Sequence, residues 1–249
     1  MCGRFVSATP PEEMAAYFGA TVATDELPAN YNVAPTNDIY AVVHTAAGPQ
    51  LQAFHWGLVP VWAKEQKIGQ KMINARAETL EEKAAFKNVF RKYRCIVPVD
   101  GFYEWKTVPG LLNKNGKPAK QPMYIHRLDG EPLAFAGLWS AWRDPSQPDD
   151  APRLHSATIV TTSANGDMAP VHDRMPVILP ASKWAEWLDP ANNDLEALGG
   201  LLVPAPDGLL TMHPVSTEVN NVRNKGGHLT DAAPELGSPE GTEAEGRLL

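Results

Sequence analysis

The chain has 249 residues, 43% of them hydrophobic and 20% charged, a composition typical of a soluble globular protein that can bury a sizeable core. No apolar run is long enough to span a membrane, the first residues lack a signal-peptide pattern, and two cysteines cannot form a disulfide framework. The net charge of −7 argues against a polyanionic ligand, yet residues 64–94 carry nine basic and four acidic side chains, a net +5.

Predicted helices are few and short. Hydrophobic periodicity, early acids and late bases indicate helices over residues 10–20, 78–93 and 182–190. Pro10 and Pro11 open the first and Gly19 closes it, whereas the second has the clearest apolar face.

Predicted strands outnumber the helices. Runs rich in β-branched and aromatic residues predict strands at 38–44, 50–59, 94–105, 122–128, 133–139, 155–162 and 177–180. Residues 107–121 and 143–153 read as surface loops. The mixed order favours an α+β fold on a mainly antiparallel sheet, in a single domain over residues 2–228. Residues 229–249 are acidic and poor in large apolar groups, and they are predicted to be a disordered tail.

Cys2 follows the initiator methionine directly. Removal of Met1 would leave a free α-amine, with a pKa of about 7.7–8.0, beside a thiol with a pKa of about 8.5. This 1,2-aminothiol is a group that an internal cysteine cannot supply. The alternative is a frayed terminus in which the cysteine has no role.

Three further segments place polar side chains where chemistry could occur. Asn74 and Arg76 alternate in "INARAET", so they share one side of an extended segment and suit an oxyanion or phosphate, or else they cap a helix. Glu104 lies between Tyr103 and Trp105, where desolvation would raise its pKa toward the range useful for proton transfer, unless it is a buried structural residue. His172 lies in a turn that prolines bracket, although a lone histidine is more often structural.

The ordered motifs MCGRF, YNVAPT, WGLVPVWA, NARAET, VPVDGFYEW and PVHDRMP resemble those of the SRAP family (SOS response-associated peptidase). The resemblance covers nearly all of residues 2–228, and "VSTEVNNVRNKGGHL" resembles the family's final segment. It implies a barrel-like β-core flanked by short helices, with a positively charged DNA groove.

The resemblance also implies the function. Members of the family capture abasic sites in single-stranded DNA: the sugar aldehyde condenses with the α-amine of the terminal cysteine, and the thiol closes a thiazolidine ring. Cys2 would be the nucleophile, Asn74 would orient the terminus and the sugar, and Glu104 and His172 would move protons. Contacts with DNA are expected from Arg4, Pro35, Trp62, Arg76, Thr161 and Arg174.

The resemblance further implies a cytoplasmic, monomeric protein that associates with the nucleoid during DNA damage. It would have covalent lyase-like or peptidase-like chemistry at Cys2 and need no cofactor or metal. A self-cleaving peptidase step that exposes Cys2 is compatible with it. Two other functions stay open. Cys2 could act as an N-terminal nucleophile on amides, as in glutamine amidotransferases, or the chain could bind single strands without a covalent bond.

Overall fold

A computed structural model describes residues 2–238 of the chain. Strands dominate its backbone. They are β1 (Phe5–Ser7), β2 (Thr21–Val22), β3 (Asn30–Val33), β4 (Asp38–Thr45), β5 (Gly48–Trp56), β6 (Asn74–Arg76), β7 (Arg94–Val99), β8 (Gly101–Leu112), β9 (Pro118–Arg127), β10 (Leu133–Trp142), β11 (Leu154–Ser163), β12 (Arg174–Pro176) and β13 (Leu210–Pro214).

The helices are short. The α-helices are α1 (Pro11–Tyr17), α2 (Lys87–Lys92), α3 (Trp184–Leu188) and α4 (Leu195–Gly200). Single 3-10 turns lie at Gln66–Lys71, Ala77–Thr79, Ala181–Lys183, Thr217–Asn220 and Gly227–Thr230.

Five strands close into a small barrel. Pairing runs from β11 through β10, β7 and β4 to β5, and β5 then pairs with β11 in parallel, with Ala157 opposite Trp56. The other pairs of this ring are antiparallel. Closure removes the free edges that an open sheet of these strands would expose. The predicted fold class, α+β with a mainly antiparallel, barrel-like β-core and short flanking helices, is confirmed.

Apolar side chains cover both faces of the barrel strands. In β7, Cys95 and Val97 belong to one buried cluster and Ile96, between them, to a second. The second cluster contains Phe90 of α2 and Trp187 of α3, so the short helices cover that face. Because β7 is buried on both faces, its sequence "RCIVPV" is a nearly continuous apolar run.

A second sheet packs against the other face. Its order is β13–β9–β8–β1–β3, and its residues Phe5, Phe102 and Ile125 share the first cluster with the barrel residues. β7 and β8 belong to different sheets, so the single strand predicted over 94–105 is wrong. Asp100 lies between them, and its carboxylate accepts hydrogen bonds from the backbone of Ala8 at 2.6 Å and Thr9 at 3.1 Å.

Three other predicted elements are corrected by the structure. Of the helix predicted over 78–93, only Lys87–Lys92 is α-helical; the preceding stretch forms tighter turns, in which the N–H groups of Glu82 and Phe86 donate to carbonyls three residues back. The predicted loop 107–121 is the tip of a hairpin formed by β8 and β9. Residues 177–180, predicted as a strand, form only one isolated bridge, from Ile178 to Phe135. The strand at this point is β12, which ends just before them at Pro176.

The segment assigned to the tail begins against the domain. Leu229 is fully buried, Ala232 bridges Val215, and the N–H of Leu236 donates to the side chain of Gln121 at 2.7 Å. Residues 229–238 therefore contact the domain. The rest of the predicted disordered tail, residues 239–249, lies outside the described residues.

Two glycines hold the loop after β5 against the 3-10 turn Gln66–Lys71. A Cβ on Gly57 would lie 2.6 Å from the carbonyl oxygen of Gly69, and a Cβ on Gly69 would lie 2.4 Å from that of Gly57. Gly57 also has a φ of 130°, which favours glycine. This backbone contact positions the lysines of the turn.

Gly57→Ala should therefore destabilise the protein more than Gly48→Ala. Both positions have positive φ, but a Cβ at Gly48 meets nothing within 4 Å. The clash should cost about 1–3 kcal/mol beyond the backbone strain that both variants share. Urea unfolding of the two variants measures the difference, and equal free energies of unfolding would contradict the contact.

Candidate functional site

Cys2 lies directly before β1, within the first hydrophobic cluster. Its side chain is fully buried, and Phe5, Trp56 and Phe102 belong to the same cluster. Asn74 Nδ2 donates a hydrogen bond to the Cys2 carbonyl oxygen at 2.8 Å. The main chain of residue 2 is thereby fixed to β6.

Asn74 reaches Cys2 because β6 runs parallel to β11, with Asn74 opposite Ile159. Its Oδ1 is buried and accepts no hydrogen bond from the described residues. A buried acceptor without a donor costs about 1–3 kcal/mol. Asn74 Oδ1 can therefore accept a hydrogen bond from an amine or a hydroxyl that lies close to residue 2.

Glu104 is buried on β8, the strand that pairs with β1. The pairing continues toward the start of the chain, where the N–H of Tyr103 donates to the Arg4 carbonyl at 2.9 Å. Burial, and after it the negative charge of Glu104, raise the pKa of the Cys2 thiol. The thiol is consequently protonated at neutral pH, and a carboxylate lies near enough to affect it.

His172 lies between β11 and β12, at the edge of the same cluster. Its neighbour Val171 packs against the cluster that contains Cys2. The backbone N–H of Arg174 donates to His172 Nδ1 at 2.9 Å, and the carboxylate of Asp173 lies 2.8 Å from the same nitrogen. These two contacts at Nδ1 fix the orientation of the imidazole ring.

Two of the predicted phosphate-binding arginines flank the end of β11. Thr161 is opposite Arg76 of β6 and Pro176 of β12, so the three strands converge there. Arg174 Nη2 donates to the Thr161 carbonyl at 2.7 Å, and its two terminal nitrogens bind the Glu78 carboxylate at 2.6 and 2.9 Å. Arg76 is exposed.

Glu78 was not predicted as a site residue. Its hydrogen bond with Arg174 holds the pKa of the Glu78 carboxyl below its usual range, so the pair is ionised at neutral pH. The sequence "NARAET" does place Glu78 two residues after Arg76, on the same side of an extended segment. The spacing could not identify its partner, because Arg174 is 96 residues further along the chain.

Arg4 is largely held by the fold. Its Nη1 donates to Asn32 Oδ1 at 2.7 Å and to the Val219 carbonyl at 2.8 Å, and its guanidinium stacks over Trp105 at 5.7 Å. Asn32 Nδ2 donates in turn to the carbonyls of Val219, Asn221 and Asn224. The predicted phosphate contact of Arg4 stays a prediction, and the observed contacts anchor the C-terminal segment.

Trp62 lies on a basic groove. Its side chain is 56% exposed, and it lines a cavity of about 520 Å³ with Lys64, Lys67 and Lys71. An adjoining groove of about 330 Å³ shares Lys67 and extends to Thr36, directly after Pro35. The groove beside Trp62 thus extends to the residue that follows Pro35, and the base contacts expected of Pro35 and Trp62 stay predictions.

The basic run over residues 64–94 does not act as one surface. Arg94 is buried, and its guanidinium donates to backbone carbonyls around the ends of α2 and α3, among them Phe90 and Trp187. Its charge therefore stabilises helix ends and is unavailable to a ligand. Beside Trp62, Lys67 pairs with Glu65 at 2.5 Å, so the basic character of the cavity rests on Lys64 and Lys71.

Residues 2–238 contain neither a candidate metal site nor a candidate membrane-spanning helix. Within residues 2–238, no group of three His, Cys, Asp or Glu side chains could hold a metal ion. The same residues include no helix that is long and apolar enough to cross a membrane.

The sequence model of the SRAP family, SOS response associated peptidase, matches residues 1–222. The chain belongs to the SRAP family. Abasic site processing protein YoqW of Bacillus subtilis is 38% identical over 234 residues, which are 93% of this chain and 100% of YoqW. Abasic site processing protein YedK of Escherichia coli is 31% identical, over 92% of this chain and 98% of YedK. The Xenopus tropicalis protein HMCES, also named an abasic site processing protein, is 35% identical over 70% of this chain and 55% of HMCES.

Solved structures of other proteins share the fold. A protein of Bacteroides thetaiotaomicron superposes with a TM-score of 0.81 at 24% identity, covering 94% of this chain and 100% of that chain. A phage-related protein of Bordetella bronchiseptica gives a TM-score of 0.64 at 34% identity, over 86% of this chain and 94% of that one.

Glu104→Gln should lower the pKa of the Cys2 thiol, because it removes the negative charge and leaves burial in place. More thiolate would then be present at a given pH, so iodoacetamide should label Cys2 severalfold faster. Cys95 is the matched control, since burial alone raises the pKa of its thiol. Peptide mass spectrometry measures both rates, and an unchanged ratio of Cys2 to Cys95 labelling would contradict the coupling.

Proposed function

We propose that this protein captures abasic sites in single-stranded DNA by forming a thiazolidine between the sugar and Cys2. The observation that carries the proposal is the fixed position of residue 2, which Asn74 holds by its carbonyl beside the buried Glu104. Relatives that match over nearly the whole chain are named abasic site processing proteins, which supports the substrate class. Removal of Met1 is part of the proposal, because it frees the α-amine.

The reaction balances without a cofactor. The α-amine of Cys2 attacks the aldehyde carbon of the open sugar, and loss of one water gives an imine. The thiol sulfur then adds to the imine carbon, and the thiol proton ends on the nitrogen. Both groups of the aminothiol are consumed, and the five-membered ring is more stable than the imine or a hemithioacetal.

Burial of the thiol favours this order of steps. Because the pKa of the Cys2 thiol is raised, the thiolate is scarce at neutral pH, and the thiol is a poor first nucleophile. In the proposed order the amine therefore attacks first. Glu104 accepts the thiol proton as the ring closes and transfers it to nitrogen, and Asn74 Oδ1 accepts a hydrogen bond from the amine.

His172 is assigned to the sugar. In the proposed step its imidazole donates a proton to the sugar ring oxygen as the aldehyde is exposed. Arg174, held beside His172, and Arg76 contact phosphates on the two sides of Thr161. Trp62, Pro35 and the lysines of the basic groove contact the neighbouring nucleotides.

A thiolate-dependent peptidase or amidohydrolase is less favoured. Such an enzyme needs a nucleophile whose pKa is lowered, whereas the pKa of the Cys2 thiol is raised. The family name nevertheless contains "peptidase", so a self-cleaving step at Met1 is retained as part of the proposal.

Cys2→Ala should abolish a covalent adduct with abasic single-stranded DNA that survives heat and denaturant. Cys95→Ala should keep it, because Cys95 is an internal residue of β7 and has no free α-amine beside its buried thiol. Denaturing gels and intact-mass spectrometry measure the adduct. An adduct with Cys2→Ala, or with a preparation that retains Met1, would refute the aminothiol mechanism.

His172→Ala should slow capture of a natural abasic site by about 10²–10⁴-fold, the usual contribution of a general acid. A small aldehyde that needs no ring opening should react with His172→Ala almost as fast as with the unmodified protein, but slowly with Glu104→Gln. Stopped-time mass spectrometry with both substrates compares the variants. Equal rescue of both variants, or rescue of neither, would show that the two roles are divided wrongly.

Glu78→Gln should strengthen binding to intact single-stranded DNA, because it releases Arg174 from its carboxylate partner. Arg174 would then contact its phosphate without competition from the Glu78 carboxylate, which should steepen the salt dependence of binding by up to about 0.7 in the log–log slope. Glu81→Gln and Glu82→Gln are controls that remove the same charge from exposed positions nearby. Weaker binding by Glu78→Gln would mean that Glu78 positions Arg174 for DNA.

A further inference from the structure

A second groove lies on the opposite face of β8 from Glu104. It has a volume of about 940 Å³ and is formed by the hairpin of β8 and β9 together with the C-terminal segment. Trp105 and Thr107 line it, and these residues alternate along the strand with Glu104. The groove is therefore separate from the site around Cys2.

The hairpin that forms this groove is strongly basic. Residues 106–121 contain four lysines and no acidic residue. Lys114, Lys117 and Lys120 line the groove and are exposed, and within residues 2–238 no acidic side chain pairs with them. Leu111 and Leu112 add an apolar wall, and Leu112 is 63% exposed. The surface suits a ligand that is acidic and partly apolar.

The chain itself supplies the first part of such a ligand. The Glu235 carboxylate lies 3.9 Å from the ammonium of Lys106, the one hairpin lysine that does not line the groove. Leu236 lines the groove, and its N–H donates to Gln121 at 2.7 Å. Residues 235–236 thus bring the chain to the edge of the groove as an acidic and apolar pair.

The following residues continue this composition. Residues 239–249 read PEGTEAEGRLL, with three glutamates, one arginine and two terminal leucines. Attachment at the edge of the groove gives this segment an effective concentration in the millimolar range, which is sufficient for weak ion pairs to form.

We propose that the acidic segment 239–249 binds in this groove, with its glutamates paired to Lys114, Lys117 and Lys120. The segment neutralises the basic hairpin within the same molecule. Single-stranded DNA is the less suitable occupant, because the only aromatic ring lining the groove, Trp105, is held by Asn220 and by Arg4. The contact is electrostatic, so it weakens as salt rises.

Zero-length crosslinking of the full chain tests the proposal. A carbodiimide joins a carboxylate to a lysine only where the two are in contact, and digestion followed by mass spectrometry locates each amide. We expect crosslinks from Glu240, Glu243 or Glu245 to the groove lysines, within the monomer mass, at about 10 mM salt and lost at about 1 M salt. Crosslinks mainly to Lys64, Lys67 and Lys71, or only in a dimer, would overturn the proposal.

Lysine acetylation provides a second measurement that does not depend on the crosslinker. Replacing all three glutamates of the segment by glutamine should speed acetylation of the groove lysines about twofold or more, because the bound fraction falls. Lys64, Lys67 and Lys71, beside Trp62, are the matched control and should be unaffected. Equal rates at the groove lysines in both proteins would also overturn the proposal.

Discussion

The pairing of β1 with β8 is the contact on which the site depends. Chain termini usually fray, and β1 has only three residues. It is held because Phe5 and Val6 are both buried and because Phe5 pairs directly with Phe102. This pairing brings residue 2 beside Glu104. Without it, Cys2 would have the reactivity of any cysteine at the end of a peptide.

Strong local patterns were predictable from the sequence. Most barrel strands were found because they are continuous apolar runs, and α1 was found from its prolines and Gly19. The hairpin at 107–121 was predicted as a loop because it contains two glycines and two prolines among polar residues. Its Asn115–Gly116 pair, with Gly116 at φ 71°, is nevertheless the sequence signal of a hairpin turn.

Contacts between distant segments could not be derived from spacing. Asn74 meets residue 2 through the pairing of β6 with β11, and no periodicity in either segment encodes this. The family resemblance pointed to these residues as a set, but it could not show that Arg174 is bound to Glu78 or that Arg94 is buried. A count of charges therefore overestimates the positive charge that a ligand can reach, because the guanidinium of Arg174 is paired and that of Arg94 is buried.

Burial of the Cys2 thiol distinguishes the proposed chemistry from ordinary cysteine catalysis. A thiol whose pKa is raised is a poor first nucleophile, yet it can close a ring once an imine has formed beside it. The cluster around Cys2 then has a chemical function as well as a structural one, because it keeps the thiol protonated until the amine has reacted. The account requires that a single residue supply both groups.

The most direct measurement is the chemical identity of the adduct at residue 2. After reaction with abasic single-stranded DNA, nuclease and trypsin digestion should leave the fragment Cys2–Arg4 carrying the sugar, with one water lost. Its thiol should resist alkylation, and borohydride should leave its mass unchanged, because a thiazolidine has no carbon–nitrogen double bond. A fragment that gains two hydrogens with borohydride and retains an alkylatable thiol would contradict the account, as would an adduct on any lysine.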